Sequence, residues 1–258
     1  FMSSTASAQQ EVDLERLQRA TVFIMQTQDI DGELFITCVG SGTIVRYDGL
    51  ILTNAHNTVP SESCPGDTLI IATTLRLNEP PVPKYRASIA QADPGVDLAL
   101  LQIDRELDGR LIEIDDLPAL PFVDLADSNE VGLDQTLTVI GYPGLGNEAV
   151  ALTRGTVTGF IAERGGGLKS WIKTSAIIPG AMTGGGAYNA DGQLVGVPTT
   201  APPDVETSTT DCYRIEDSTG DGLINSNDIC IPVGSFINAI RPSSFARSLI
   251  RGASLGLQ

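Results

Sequence analysis

His56 is the only histidine in the chain, and it lies in Thr53-Asn54-Ala55-His56, directly after the apolar run Leu50-Ile51-Leu52. Histidine alone changes charge near neutral pH without being perturbed, so a sole imidazole at the end of a strand pair is the natural general base. Downstream lie Asp97, in Val96-Asp97-Leu98-Ala99-Leu100-Leu101, and Thr183, in Ala181-Met182-Thr183-Gly184-Gly185-Gly186. A hydroxyl whose proton is taken by an imidazole, itself oriented by a buried carboxylate, can attack a carbonyl carbon. The three groups are remote along the polypeptide, so the fold must bring them together.

The elements that would do so are short. Residues 9–20 read as an amphipathic helix, with Val12, Leu14, Leu17 and Ala20 spaced for one face. From Thr21 the pattern changes to β segments separated by Gly, Pro, Asn and Asp. The spans include 21–25, 34–47, 69–75, 85–91 and 98–103, then 136–141, 152–162, 169–177, 186–188 and 193–197. A Pro-rich acidic stretch near 104–132 separates the two runs, and residues 242–251 suggest a closing helix through Phe245, Leu249 and Ile250. This pattern predicts an all-β chain of two small antiparallel β-barrels with a C-terminal helix. The expected order is an N-terminal segment over 1–20, a first barrel over 21–105, a linker over 106–130 and a second barrel over 131–258.

At 258 residues the chain can bury a core without help from metals or disulfides. A formal net charge of −16 argues against nucleic-acid binding, which needs clustered Lys and Arg. No stretch reaches the roughly 18 to 20 apolar residues of a membrane span. Ala6-Ser7-Ala8 has the small-residue pattern of a signal-peptidase site. Four cysteines allow three pairings, of which Cys38–Cys64 with Cys212–Cys230 is the most local. Both pairs bracket irregular polar segments, which favours disulfides and a secreted, periplasmic or envelope location.

Residues 217–228 fit a twelve-residue calcium loop of EF-hand type within an insertion over 201–231. Oxygen ligands fall at Asp217, Thr219, Asp221, Asn225 and Asp228, with the backbone carbonyl of Leu223 at position 7 and Gly222 at position 6. The last ligand is Asp rather than the usual Glu, which resembles dockerin-type loops. The expected cofactor is a structural Ca2+, with Cys212 and Cys230 pinning the ends.

Residues 40–56, the Asp97 segment, Ile140-Gly141-Tyr142-Pro143-Gly144 and residues 172–197 together resemble trypsin-fold proteases of the HtrA type. The resemblance covers roughly residues 21–200 and several motifs recur in register. It implies the trypsin-like fold, in which each of the two antiparallel β-barrels has six strands, and an endopeptidase acting on peptides or unfolded proteins. It makes His56 the base, Asp97 its orienting partner and Thr183 the nucleophile, where the family has serine. It places the oxyanion hole at the N–H groups of Ala181, a glycine in the family, and Thr183. It also implies a pocket walled by Ile177, Ile178, Pro179, Val197, Pro198 and Thr199. Ile177 stands six residues before the nucleophile, where preference for Arg or Lys needs an acid, so small or aliphatic side chains are expected. The extra methyl of Thr183 restricts χ1 and crowds the attack. Three readings of Thr183 stand open: a slow natural enzyme, a peptide-binding pseudoprotease, or an engineered inactivating replacement. Oligomeric state is not legible in the sequence.

Overall fold

The computed structural model describes residues 12–61, 64–144, 146–163, 167–200, 212–213, 231–232 and 238–254. The chain divides into two units, residues 1–199 with 238–258, and residues 200–237.

The larger unit opens with helix α1 (Leu14–Ala20), shorter than the residue 9–20 pattern suggests. Its start is set by Asp13, whose carboxylate accepts the Arg16 N–H at 3.0 Å and satisfies one of the free donors of the first turn. Six strands follow: β1 (Thr21–Ile30), β2 (Glu33–Arg46), β3 (Leu50–Thr53), β4 (Thr68–Thr73), β5 (Val82–Asp93) and β6 (Leu98–Glu106). They form an antiparallel sheet in the order β1-β2-β3-β6-β5-β4, closed where β4 pairs back on β1.

The second sheet uses β7 (Thr136–Gly141), β8 (Ala151–Glu163), β9 (Gly167–Thr174), β10 (Gly186–Tyr188) and β11 (Leu194–Thr200). In the smaller unit, β12 (Cys212–Tyr213) pairs antiparallel with β13 (Ile231–Pro232). Strand β14 (Asn238–Pro242) then completes the order β10-β11-β14-β9-β8-β7, closed through β10 on β7, and helix α2 (Ser243–Ser254) follows it. The expected architecture of two six-stranded antiparallel barrels with a closing helix is therefore the observed one. Among the barrel strands, β14 is the one that the sequence spans omit, and β3 is the apolar run that precedes His56.

Successive side chains on a strand point to opposite faces, and here both faces of several strands are buried. Val22, Ile24, Ile51, Ile71, Leu101 and Ile103 fill the first barrel. Their neighbours Phe23, Leu50, Leu52, Leu98 and Leu100 point the other way and pack with Ile140, Tyr142, Leu194 and Val197 of the second barrel. Double burial explains why Leu50-Ile51-Leu52 and Leu98-Ala99-Leu100-Leu101 read as unbroken apolar runs instead of alternating ones. The connection between barrels is tied to the second one before it ends, because Leu125 forms a parallel bridge with Leu194.

Cys38 and Cys64 are joined by a disulfide. Cys230 and the expected calcium ligands 217, 219, 221, 223, 225 and 228 lie outside the described residues, as does Ala6-Ser7-Ala8. Among the described residues, no helix is long and apolar enough to cross a membrane.

Candidate active site

Strand pairing brings the first two groups together. Thr53, the last residue of β3, lies opposite Ala99 of β6. The chain leaving β3 therefore passes beside the turn that enters β6. The former carries a 3₁₀ turn over Ala55–Asn57, and the latter ends on Asp97, whose φ of 55° is left-handed. Asp tolerates that region better than most residues because its short polar side chain bonds locally.

The result is a closely bonded imidazole and carboxylate. His56 Nδ1 lies 2.9 Å from Asp97 Oδ1 and 2.8 Å from Oδ2. The His56 backbone N–H donates to Oδ1 at 3.1 Å, and the Thr199 hydroxyl donates to Oδ2 at 2.8 Å. Burial by itself would raise the Asp97 pKa, but the side-chain bond and charge of His56, its N–H and the Thr199 hydroxyl together hold it below the usual carboxylate value. An ionised carboxylate can only accept, so Nδ1 carries the proton and Nε2 is left as the basic nitrogen. His56 is 46% exposed at its side chain, against 22% for Asp97, so the free edge of the ring faces outward.

Thr183 arrives from the second barrel at the end of a 3₁₀ turn, Gly180–Met182, with Met182 anchored in that barrel's core. Three donors from the first barrel grip this turn. Ser41 N–H and Asn57 Nδ2 donate to the Thr183 carbonyl at 2.9 and 3.1 Å, and the Ser41 hydroxyl donates to the Ala181 carbonyl at 2.8 Å. Close approach also fixes glycine at 184, which has φ of 87° and where a Cβ would stand 2.2 Å from the Ser41 carbonyl oxygen. The barrel bearing His56 and Asp97 thus sets the position of Thr183.

The hydroxyl of Thr183 donates to the Gly180 carbonyl at 2.8 Å, and among the described residues no hydrogen bond joins it to His56. The Thr183 N–H also goes to Gly180 O, at 3.2 Å. Ala181 is not among the non-glycine residues with positive φ, which among the described residues are Asp31, Asp97 and Asp134. The alanine fits an ordinary 3₁₀ backbone, and the turn closes on itself.

The six expected pocket residues separate in space. Ile177 is 71% exposed, while Ile178 packs on the second barrel's core. Pro179 caps the 3₁₀ turn and accepts from Met182 N–H at 2.9 Å. Val197 is buried between the barrels, and the Pro198 carbonyl accepts from Gly184 N–H at 2.9 Å. Thr199 is buried with its hydroxyl on Asp97. Sequence reading missed that contact, and also missed Ser41, Asn54 and Asn57. The only signal for these was polar residues set inside otherwise apolar strand ends.

The family model described as "Trypsin-like peptidase domain" matches residues 40–197, a span that includes all three groups. The chain is 32% identical to serine protease HTRA1 of Xenopus laevis over 170 residues, 62% of this chain and 31% of that protein. It is 31% identical to the probable periplasmic serine endoprotease DegP-like of Rickettsia prowazekii (strain Madrid E) over 172 residues, 62% and 28% of the two chains. It is 30% identical to serine protease HTRA4 of Mus musculus over 168 residues, 62% and 29%. The chain spans under a third of the length of these curated relatives. By its match over residues 40–197, the chain belongs to the trypsin-like peptidase domain family.

Proposed function

We propose that the chain is an HtrA-type endopeptidase that cleaves peptides or unfolded proteins through His56, Asp97 and Thr183. The observation that carries this reading is the His56 Nδ1–Asp97 pair at 2.8 Å, oriented so that Nε2 is the free base. In the reaction, Nε2 takes the proton of the Thr183 hydroxyl as its oxygen bonds to the scissile carbonyl carbon. The imidazolium then gives that proton to the departing amine, leaving an ester on Thr183. Water, deprotonated by Nε2, hydrolyses the ester and restores the hydroxyl. The oxyanion would be met by the N–H groups of Ala181 and Thr183. Since Thr183 N–H and hydroxyl both bond Gly180 O, the hydroxyl must rotate away from that carbonyl to reach Nε2, and the turn over Gly180–Met182 must open to free the N–H.

Ile177, six residues before Thr183, puts no acid near the leading side of the scissile bond, which supports small or aliphatic specificity. The Cys38–Cys64 disulfide supports a secreted, periplasmic or envelope location. Structural Ca2+ is proposed at Asp217, Thr219, Asp221, Leu223, Asn225 and Asp228, a hard oxygen donor set of the kind calcium takes. Strands β12 and β13, which flank this segment in the sequence, pair antiparallel with each other.

The engaged Thr183 hydroxyl favours a second reading, an inactive pseudoprotease that binds extended peptides. Hydrolysis of a reduced, unfolded protein by the chain and by Thr183→Ser separates the two. Turnover by either form that is lost with His56→Ala supports the endopeptidase. No turnover by both, with retained binding of an extended peptide, supports the binding module.

A further inference from the structure

Asp97 stands on a left-handed backbone, and its peptide is held from both sides. Its N–H donates to Pro94 O at 3.3 Å, and its carbonyl accepts from Asn54 Nδ2 at 2.9 Å. Asn54 is completely buried and leads directly into the 3₁₀ turn that presents His56. The other half of its amide, Oδ1, has no hydrogen-bond partner among the described residues. A buried amide with one unpaired atom is less favourable than an apolar side chain of equal size. The bond to Asp97 is therefore the contact that gives a reason for an amide at this position.

We propose that Asn54 is a positioning residue: by gripping the Asp97 carbonyl it fixes the left-handed turn that aims the carboxylate at His56. Returning Asp97 to negative φ would swing Cβ, and with it both oxygens, away from Nδ1 and from the His56 N–H. Asn54 lies two residues before His56, so one short segment presents the imidazole and holds the peptide of its partner. Thr199 fixes the far side of the same carboxylate at Oδ2, independently of the backbone. Among the described residues, Asp97 is the only charged side chain bonded to His56.

The inference rests on the proposed roles of His56 and Asp97, yet its test needs no turnover. With one histidine in the chain, 15N labelling of histidine gives one pair of ring nitrogens in the full-length protein. The wild type is expected to show the Nδ1–H tautomer and a low-field Nδ1 proton. Asn54→Ala is expected to lose the low-field proton and move toward the Nε2–H tautomer that prevails in water. Asp97→Asn is expected to have the same effect, and adding Asn54→Ala to it no further one. An unchanged tautomer in Asn54→Ala, or an equal extra change in the Asp97→Asn background, overturns the proposal. Should Asn54→Ala not fold, the wild type decides. Slow exchange of the Asn54 side-chain amide, with scalar coupling to the Asp97 carbonyl carbon, supports the proposal, and fast exchange without coupling overturns it. Absence of proteolysis by Thr183→Ser would instead remove the endopeptidase reading and leave this result intact.

Discussion

The Thr183 hydroxyl is bonded to the carbonyl of Gly180, three residues earlier on the same turn, at 2.8 Å. A β-branched side chain has few χ1 choices, so this bond also fixes where the methyl stands. Thr183→Ser keeps the hydroxyl and frees the rotamer. Initial rates on an unfolded protein are expected to rise by at least about tenfold, since small misplacement of a reacting atom is costly. Equal rates for the two forms would show that the methyl is not what limits the reaction.

Asp97 has a folded-state pKa below its unfolded value, because His56 and Thr199 outweigh the effect of burial. Its stabilisation is therefore present above the unfolded carboxylate pKa near 4 and is lost as pH falls through the lower folded value. Thr199→Val removes one donor while keeping shape. Urea unfolding at pH 7 is expected to show a loss of about 1.5–3 kcal/mol, the usual worth of a hydrogen bond to a charged group. At pH 2 the difference should shrink. A loss that stays constant in acid would assign it to packing instead.

Arg241 is 2% exposed at its side chain, pairs with Glu163 at 2.8 Å and stacks 3.4 Å from the centre of the Trp171 ring. Trp171 also donates its ring N–H to Glu163. Arg241→Ala is expected to cost about 2–4 kcal/mol, through lost stacking and an unpaired carboxylate. Glu163→Gln should cost less, because the Gln oxygen can still accept from Arg241 and the stacking on Trp171 is kept. Trp171 is the sole tryptophan, so its emission reads both variants directly.

The Cys38–Cys64 bridge has a sequence separation of 26 and ties β2 to the segment after His56. Replacing both cysteines with serine is expected to cost about 3 kcal/mol, from the loop-closure entropy returned to the unfolded chain. Calorimetry measures this, and an unchanged melting temperature would deny the bridge a stabilising role.

Residues 217–228 supply the calcium prediction. Chelation is expected to lower the melting temperature or to increase cleavage within 201–231 by an added protease, and Ca2+ should reverse both. Titration calorimetry showing no heat at millimolar Ca2+ would remove the ion from the account.

The barrels were readable because their strands are written as apolar segments between Gly, Pro and Asx turns, and because His56, Asp97 and Thr183 stand in distinctive surroundings. Strand β3 was legible only as an apolar run, because its four residues are buried on both faces and Leu50-Ile51-Leu52 shows no alternation. Strand β14 was hidden by its place after the polar insertion. Asn54 and Ser41 act through backbone carbonyls of residues 43 and 140 positions away, and no local pattern encodes such a partner. The Thr199 hydroxyl meets a carboxylate 102 positions earlier, and such a contact is set by strand register, which the sequence does not spell out.

Over Thr21–Thr27, Leu50–Thr53 and Leu98–Leu101, strands β1, β3 and β6 keep no face for water, since one side fills a barrel and the other its neighbour. A nascent polypeptide halted after β6 would therefore present Phe23, Leu50, Leu52, Leu98 and Leu100 as an adhesive surface. The half that carries the base therefore completes its burial only when the half that carries the alcohol is present.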